Sequence, residues 1–218
     1  FALHMITGRH EDRLLFDHQI KIAALFGYVD SDHNKAVEQF MQLYYRTIKS
    51  LSCLNDLLLQ LFEEAILGKG EGEEVKPLNA RFQLRGSYIE ACADDVFQKQ
   101  PAALIEIFAL MQQHPEITGI RAGTQRLLRR DRKRIDAHRQ DVRARTLFIG
   151  LFQHGHGLTH ALRRMNRYGV LGRYLPDFGM VIGHMQYDLF HTLTVDEHTL
   201  YLVRNLRRLA MERFRNEL

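Results

Sequence analysis

A histidine close to the end of the sequence stands among carboxylates and could bind a metal ion. His198 directly follows Asp196 and Glu197, and it lies four residues before Leu202. On a helix this spacing places His198 on the same face as Leu202, which predicts an inward-pointing imidazole. Such a histidine is either a metal ligand or a core histidine satisfied by a hydrogen bond, and one ligand does not make a site.

A second histidine group has the spacing H-x-H-x-x-x-H and consists of His154, His156 and His160. Imidazoles at this spacing can bind a transition metal when a loop leads into a helix. Gly155 and Gly157 interrupt the group, which indicates a flexible loop. A metal site and an ordinary histidine-containing loop therefore both stay open.

The tripeptide Asp30-Ser31-Asp32 has the D-x-D pattern with which nucleotidyltransferases hold Mg²⁺ on a strand. Here it precedes a long helical pattern, and Asp and Ser commonly cap the first turn of a helix. We therefore expect Ser31 or Asp32 to be a cap. The sequence 68–70 (GKG) lacks the spacing of a phosphate-binding loop.

Basic residues are concentrated in one stretch, whose members are Arg126, Arg129, Arg130, Arg132, Lys133 and Arg134. They cover several sides of one predicted helix, so a solvated helix face is the first interpretation. A contact with phosphate or with an acidic protein is the second. The net charge is only +4, and no aromatic residues alternate with the basic ones, so we expect no nucleic-acid partner.

Two helical patterns must position the first half of the chain. Apolar residues recur at three- and four-residue steps from about Glu11 to Phe26, which predicts one helix. A second apolar stripe extends from Val37 to Ala65. It predicts a spine helix roughly 50 Å long, at 1.5 Å of rise per residue.

A glycine-rich segment interrupts these helical patterns. Residues 68–74 combine three glycines with a run of charge, which is typical of a flexible linker. Apolar and polar residues then alternate from Phe82 to Ala91 around Gly86, which predicts a short β-hairpin. We therefore divide the chain into a helical segment (1–67), a flexible linker (68–76), a helical connector domain (77–193) and a final helix (194–218).

The second half of the chain is again helical by its pattern. A helix from Pro101 should bury Leu104, Ile105, Phe108 and Met111. Thr124 should cap the next helix, and Thr194 with Glu197 has the spacing of a capping box before the last one. The inner face of that last helix should consist of Leu202, Leu206 and Leu209. The predicted fold class is mainly α, a helical bundle with a long spine helix, one short β-hairpin and no complete catalytic domain.

The composition is that of an ordinary globular protein, with 45% hydrophobic and 26% charged residues among 218. No apolar run approaches the roughly 20 residues that cross a bilayer, and Phe1–His4 lacks the layout of a signal peptide. Cys53 and Cys92 form no C-x-x-C pair, which favours reduced thiols in a cytoplasmic protein without a membrane partner. Because the sequence does not begin with Met, we expect an internal piece of a longer protein.

Three stretches of the sequence resemble the family of bacterial PII uridylyltransferase/uridylyl-removing enzymes. They are LHMITGRHEDRLLFDHQ (3–19), EIFALMQQHPEITGIRAGTQRLLRR (106–130) and RRMNRYGVLGRYLPDFGMVIGHMQYDLFHTLTVDEHTL (163–200). The third stretch is long and distinctive. The resemblance extends in collinear order over nearly the whole chain.

The resemblance implies a bifunctional enzyme of nitrogen regulation. In this family a nucleotidyltransferase domain attaches UMP from UTP to a tyrosine of the PII signalling protein, and an HD-type phosphohydrolase domain removes it. Two ACT domains sense glutamine, and a divalent metal, Mg²⁺ or Mn²⁺, serves both reactions. The matching region is the helical domain after the transferase core and the connector into the hydrolase domain, whose first helix would be residues 194–218. We expect this region itself to bind no metal.

Only a few functional residues carry over from the family. His198, in VDEHTL, matches the first metal-ligand histidine of the HD motif. That motif also needs a His-Asp pair, and none of the twelve histidines is followed by Asp. Arg9 and Asp12 lie just past the transferase core and could face the nucleotide, or they could form a structural ion pair or cap.

Three hypotheses of different kinds follow from these observations. The preferred one is an inactive scaffold between the two active sites of a uridylyltransferase/uridylyl-removing enzyme, which helps to bind PII. The alternative is a non-enzymatic module whose stretch Arg126–Arg134 docks an acidic partner. The third is a stand-alone metal-dependent hydrolase that uses His198 and the histidines of residues 154–160.

Overall fold

A computed structural model describes residues 1–67, 72–188 and 192–209. The helices, in chain order, are α1 (Ala2–Thr7), α2 (Phe16–Leu25), α3 (Ala36–Leu67), α4 (Val96–Lys99), α5 (Ala103–Gln113), α6 (Ala122–Asp131), α7 (Val142–Gln153), α8 (Leu158–Arg167), α9 (Leu171–Tyr174), α10 (Pro176–Val181) and α11 (Val195–Leu209). A 3-10 helix covers Arg132–Ala137. The strands are β1 (Val75–Pro77), β2 (Phe82–Arg85), β3 (Tyr88–Ala91) and β4 (Gly119–Ile120). The predicted mainly α fold with a long spine helix is confirmed, since α3 alone has 32 residues.

The chain forms two compact units. Unit 1 consists of Phe1–Ser50 and the described residues from Met180 onward, and unit 2 consists of Leu51–Gly179. This division differs from the predicted ranges, which break at the glycine-rich segment and before the last helix. The apolar stripe of α3 runs through the first boundary without a change of pattern, so the sequence does not mark it. Of the predicted linker, residues 68–71 lie outside the described residues, and Val75–Pro77 is a strand.

A small apolar cluster forms the core of unit 1. Its buried members are Ala23, Val37, Met41 and Met185. Partly buried residues pack around them, namely Leu14, Tyr28, Phe40, Tyr45 and Tyr187. The Tyr187 ring also stacks on Phe16, with 4.0 Å between ring centroids. Residues far apart in sequence thus complete one core, because α2 and α3 each present only one apolar stripe.

The end of α10 and the chain after it are fixed to α3 by side-chain to backbone hydrogen bonds. Gln42 Nε2 donates to Met180 O at 2.8 Å, and Arg46 Nε donates to Ile182 O at 2.8 Å. Glu38 Oε1 accepts from Tyr187 N at 3.2 Å. These bonds satisfy carbonyl and amide groups at the end of α10 and in the irregular chain that follows it.

Hydrogen bonds at the starts of α3 and α6 differ in part from the expected ones. Ala36 N in the first turn of α3 donates to Asp30 Oδ1 at 2.7 Å, so the cap interpretation of the D-x-D pattern is confirmed. The choice of Ser31 or Asp32 is wrong, since Ser31 Oγ accepts from Asn34 N at 3.2 Å inside the preceding turn. Thr124 does not cap α6 either, because its hydroxyl accepts from Ala91 N of β3 at 2.8 Å.

The second helix begins later than its apolar pattern indicates. We predicted a start near Glu11, but α2 begins at Phe16. The Glu11 carboxylate accepts from Arg13 N at 3.0 Å. This hydrogen bond stabilises a non-helical backbone in the residues before Phe16. Side chains that bond to nearby backbone compete with the helix in this way.

A four-stranded sheet in the order β1-β2-β3-β4 extends the predicted hairpin of unit 2. The hairpin is confirmed, with β2 and β3 antiparallel and Phe82 opposite Ala91. β1 adds an antiparallel strand to one side, and β4 pairs in parallel with β3 on the other. The apolar residues Phe82, Leu84 and Ile89 are buried, so one face of the sheet lies on the core.

Helix α5 is the centre of the core of unit 2. It packs against α7 and α8, and the predicted inner residues Leu104, Ile105, Phe108 and Met111 are all buried. Ile107 is fully buried as well, so α5 is covered on more sides than a one-faced stripe requires. A helix that is apolar around most of its circumference belongs in the interior.

The last helix buries a different face from the predicted one. Leu202, Leu206 and Leu209 of α11 are exposed by 51%, 58% and 36%, while Leu200 is 2% exposed. The predicted inner face is therefore wrong for the described residues. The side chain that fixes the orientation of α11 is Asp196, which is 1% exposed. The spacing of apolar residues cannot reveal a buried polar contact of this kind.

No helix within the described residues combines the length and the apolar character needed to span a membrane.

Candidate functional site

The segment that links α1 to α2 carries the first group of candidate residues. Helix α1 ends at Thr7 and is capped by Gly8, whose φ of 65° is left-handed and whose N donates to His4 O at 2.9 Å. A residue without Cβ adopts this conformation readily. The turn sends the sequence Arg9–Arg13 back past α1.

Glu11 fixes this segment from the inside. Its side chain is 7% exposed, and its carboxylate accepts from Arg13 Nε at 2.9 Å and from Arg9 at 3.3 Å. The hydrogen bond from the Arg13 side chain, followed by the one from the Arg13 backbone, lowers the pKa of Glu11 from 4.5 to about 2. Glu11 therefore stays ionised over the whole physiological range.

His10 and Asp12 flank Glu11 and point the other way. Their side chains are 80% and 73% exposed. Asp12 Oδ1 lies 2.8 Å from His4 Nε2, and Asp12 Oδ2 lies 3.4 Å from His10 Nδ1. The two imidazole rings tilt toward each other with 4.3 Å between centroids. One nitrogen from each histidine and the carboxylate of Asp12 lie within 4.8 Å of one another.

The predicted substrate-binding residues Arg9 and Asp12 thus share one segment but have different partners. Arg9 contacts Glu11, and Asp12 contacts the histidines. The structural ion pair that we left open for them is present. Their predicted contact with a nucleotide stays a prediction. The sequence offered a signal for the histidines in the pattern H-x₅-H-x-D, which we did not single out.

The predicted metal ligand His198 lies in the first turn of α11 and is exposed. The expectation that it shares a buried face with Leu202 is wrong, because Leu202 is exposed too. Among the described residues, His198 is not part of any group of three ligand side chains. The described part of the chain therefore does not fit the metal centre of a phosphohydrolase by itself, and the role of His198 as one ligand stays a prediction.

The buried acid beside His198 is Asp196. It accepts from Lys49 Nζ at 3.1 Å and from Gly183 N at 3.0 Å. A buried carboxylate needs such partners because desolvation of an unpaired charge is costly. Sequence reasoning noted Asp196 only as a neighbour of His198, although its role is to fix α11.

His154 and His156 of the second group lie on the loop before α8, and His160 lies in the first turn of α8. His154 is half-buried, His156 and His160 are exposed, and the rings of His154 and His156 are 5.0 Å apart. Gln112, which is buried, donates from Nε2 to His156 O at 2.7 Å and to Leu151 O at 3.0 Å. This loop is therefore fixed through its backbone. No three-ligand group forms here among the described residues.

A carboxylate within the arginine-rich stretch, that of Asp131, neutralises part of its positive charge. Arg130 and Arg134 both donate to Asp131, which is 3% exposed, at distances of 2.6 and 3.1 Å. Burial alone would raise the pKa of Asp131, but the hydrogen bonds from Arg130 and Arg134 outweigh it and keep the pKa below the ordinary value. Arg132 donates to Tyr168 O at 3.2 Å, and burial lowers the pKa of its guanidinium.

A cleft of about 300 Å³ in unit 2 is a further concave feature. Arg81 holds Glu106 through two hydrogen bonds of 2.7 and 2.6 Å, and Arg143 donates to Gln100 at 2.7 Å. The Arg81–Glu106 pair is arranged as a fork on a carboxylate, the strong form of an ion pair. This ion pair links the start of β2 to α5, so its role is structural.

Comparisons with known proteins identify two matching family models. Residues 1–59 match the model of GlnD PII-uridylyltransferase, and residues 82–174 match that of the uridylyltransferase GlnD third domain. No solved structure matches the chain.

Similar proteins come from several Pseudomonas species. Bifunctional uridylyltransferase/uridylyl-removing enzymes are 59% identical in Pseudomonas aeruginosa (strain LESB58), 57% in Pseudomonas putida (strain W619) and 56% in Pseudomonas entomophila (strain L48). Each match extends over 210 residues, which is 96% of this chain and 23% of the relative. The chain thus spans about a quarter of the length of these relatives. It belongs to the family of bifunctional uridylyltransferase/uridylyl-removing enzymes.

Proposed function

We propose that this chain is the helical region that joins the transferase and hydrolase parts of an enzyme that transfers UMP from UTP to the PII protein and removes it again. The observation that carries this proposal is the collinear match over 96% of the chain to relatives with that name. The two family models match in the same order along the chain. In this role the chain is a scaffold, and it does not supply a complete active site by itself.

The scaffold role is supported by what fixes each unit internally. Asp196 anchors the start of α11 to Lys49 on α3 and to Gly183. The segment that carries Arg9 and Asp12 is held by the buried Glu11. Residues that the family resemblance implies to be functional therefore stand on rigid supports, which is what positioned chemistry requires. A cytoplasmic location agrees with the two free thiols, Cys53 and Cys92.

The central test is an assay of the full-length protein with UTP and PII. We expect transfer of UMP to PII, and hydrolysis of the modified PII when glutamine is added with Mg²⁺ or Mn²⁺. A full-length protein that is folded but transfers no UMP to PII would refute the proposal.

The residue assignments can be tested in the same protein. Arg9→Ala should raise the KM for UTP in the transfer reaction, because a cation at this position would contact the nucleotide phosphates. His198→Ala should lower uridylyl removal and leave transfer unchanged, because it is proposed as a ligand on the hydrolase side. His160→Ala, also an exposed histidine, is the control for both. Equal loss of the two activities in His198→Ala would contradict its assignment.

A second candidate function is the docking of an acidic partner. Arg126, Arg129 and Lys133 are exposed, and no carboxylate of the described residues is in an ion pair with them, in contrast to Arg130 and Arg134. Binding to an acidic partner through these three residues should weaken as salt is raised. Unmodified PII is the probe, and binding by a variant with Ala at 126, 129 and 133 that equals wild type would exclude this surface.

A further inference from the structure

We propose that His4, His10 and Asp12 form a binding site for a divalent transition metal of the Zn²⁺ class on unit 1. The three side chains offer two imidazole nitrogens and one carboxylate, all within 4.8 Å of one another. This site does not include His198.

The backbone positions these ligands before any metal binds. His4 lies on α1, and the left-handed turn at Gly8 returns the chain toward it. In the segment that follows, Glu11 is buried while its neighbours His10 and Asp12 are exposed. His10 and Asp12 therefore face the solvent together, and Asp12 contacts both His4 and His10.

The neighbouring arginines form ion pairs with Glu11, so Asp12 is available to bind a metal ion. Arg9 and Arg13 are both in ion pairs with Glu11. Among the described residues, the ion-pair partners of Asp12 are the two histidines, one on each carboxylate oxygen. Together, the Asp12 carboxylate and the two imidazoles that contact it form a ligand set. A metal ion can bind these three groups in place of the protons that now lie between them.

The distances suit a tetrahedral ion. Zn²⁺ bonds to nitrogen and oxygen at about 2.0–2.1 Å, which places tetrahedral ligand atoms about 3.4 Å apart. The observed separations of 2.8 and 3.4 Å and the limit of 4.8 Å differ from this value by small side-chain movements. His10 and Asp12 are exposed, so neither movement displaces core residues.

The donor set selects the class of metal. Imidazole favours Zn²⁺, Co²⁺, Ni²⁺ and Cu²⁺, whereas Mg²⁺ and Ca²⁺ prefer oxygen ligands alone. Two nitrogens and one carboxylate therefore exclude Mg²⁺ as the preferred ion. With three protein ligands, water completes the coordination. A bound ion would also join α1 to the segment after Gly8.

The test is Zn²⁺ binding to the purified chain, measured by competition with a chromophoric chelator and by calorimetry. We expect one tight Zn²⁺ site that millimolar Mg²⁺ does not displace. His4→Ala, His10→Ala and Asp12→Ala should each weaken binding at least about tenfold, since even outer-shell changes cost that much. Zn²⁺ should raise the Tm of the wild type and not of the variants.

Two controls separate this site from other histidines. His114 contacts Glu116 at 3.0 Å and shares the His-x-carboxylate spacing, but among the described residues this pair has no third ligand. His114→Ala should therefore bind Zn²⁺ like wild type. The double variant His154→Ala/His156→Ala should do the same. Unchanged affinity in His10→Ala and Asp12→Ala, or loss of the tight site in the double variant, would overturn the proposal. Circular dichroism verifies that each variant is folded.

Discussion

Unit 1 and unit 2 are stabilised by different interactions. Among the described residues, unit 1 buries six apolar and three polar or charged side chains, whereas unit 2 buries 28 and four. The core of unit 2 contains three fully buried phenylalanines, Phe82, Phe97 and Phe108. Unit 1 has a small apolar cluster and depends on Glu11 and Asp196 to fix its segments. The stability of unit 2 should therefore depend on packed volume, and that of unit 1 on charge and hydrogen-bond geometry.

The largest effect should come from a cavity in unit 2. Phe108→Ala removes a fully buried ring and should lower the free energy of unfolding by about 3–5 kcal/mol. Native-state hydrogen exchange should show the loss in amides of α5, α7 and α8. Phe152→Ala, whose side chain is 47% exposed, is the control and should change little. An equal loss of protection in unit 1 would mean that the units do not differ in the way we describe.

The next effect should come from the buried acid of unit 1. Asp196→Ala leaves Lys49 and the Gly183 amide without their acceptor, and it should cost about 2–3 kcal/mol, because hydrogen bonds to charged groups have this value. Protection of amides in α11 and in the segment 180–188 should fall most. Glu197→Gln is the control, since Glu197 is only half-buried. A loss confined to unit 2 would contradict the assignment.

A smaller effect distinguishes the observed cap of α3 from the predicted one. Asp30→Ala removes the acceptor of Ala36 N and should destabilise the chain by about 1 kcal/mol in urea denaturation. Asp32→Ala is the matched control, since it removes an exposed carboxylate two residues away. If Asp32→Ala costs as much as Asp30→Ala, the hydrogen bond is not the cause.

A further effect should be a pH dependence in unit 1. The pKa of Glu11 is lowered from 4.5 to about 2 on folding. The stability that its carboxylate contributes is therefore complete above pH 4.5 and is lost as the pH falls toward 2. NMR titration should give a midpoint near 2, which Arg13→Gln should raise toward 4.5. The stability difference between wild type and Glu11→Gln should shrink over this interval, and a constant difference would contradict the assignment.

The sequence predicted the elements that rest on apolar periodicity. The long helix α3, the buried residues of α5 and the hairpin Phe82–Ala91 followed from spacing alone. Helix α5 and the hairpin bury their apolar residues, whereas most of the apolar stripe of α3 after Met41 is exposed. The sequence did not predict elements whose position depends on one polar contact. The start of α2 is set by Glu11, and the orientation of α11 is set by Asp196.

The candidate site was likewise predicted only in part. The family resemblance pointed to Arg9, Asp12 and His198, but it gave no partner for any of them. The contacts of Asp12 with His4 and His10 depend on the turn at Gly8, whose φ of 65° no periodicity reveals. Contacts between residues on either side of a turn follow from backbone conformation, and a pattern of residue types does not contain it.

The order of the two units along the chain has a consequence for synthesis on the ribosome. Unit 2 is one continuous segment, whereas unit 1 combines Phe1–Ser50 with residues from Met180 onward. Domains fold as units while the chain elongates at about 5–20 residues per second. Unit 2 can therefore fold as soon as it emerges. The first half of unit 1 must wait on the order of ten seconds, with Val37 and Met41 uncovered, until Met185 arrives to complete its core.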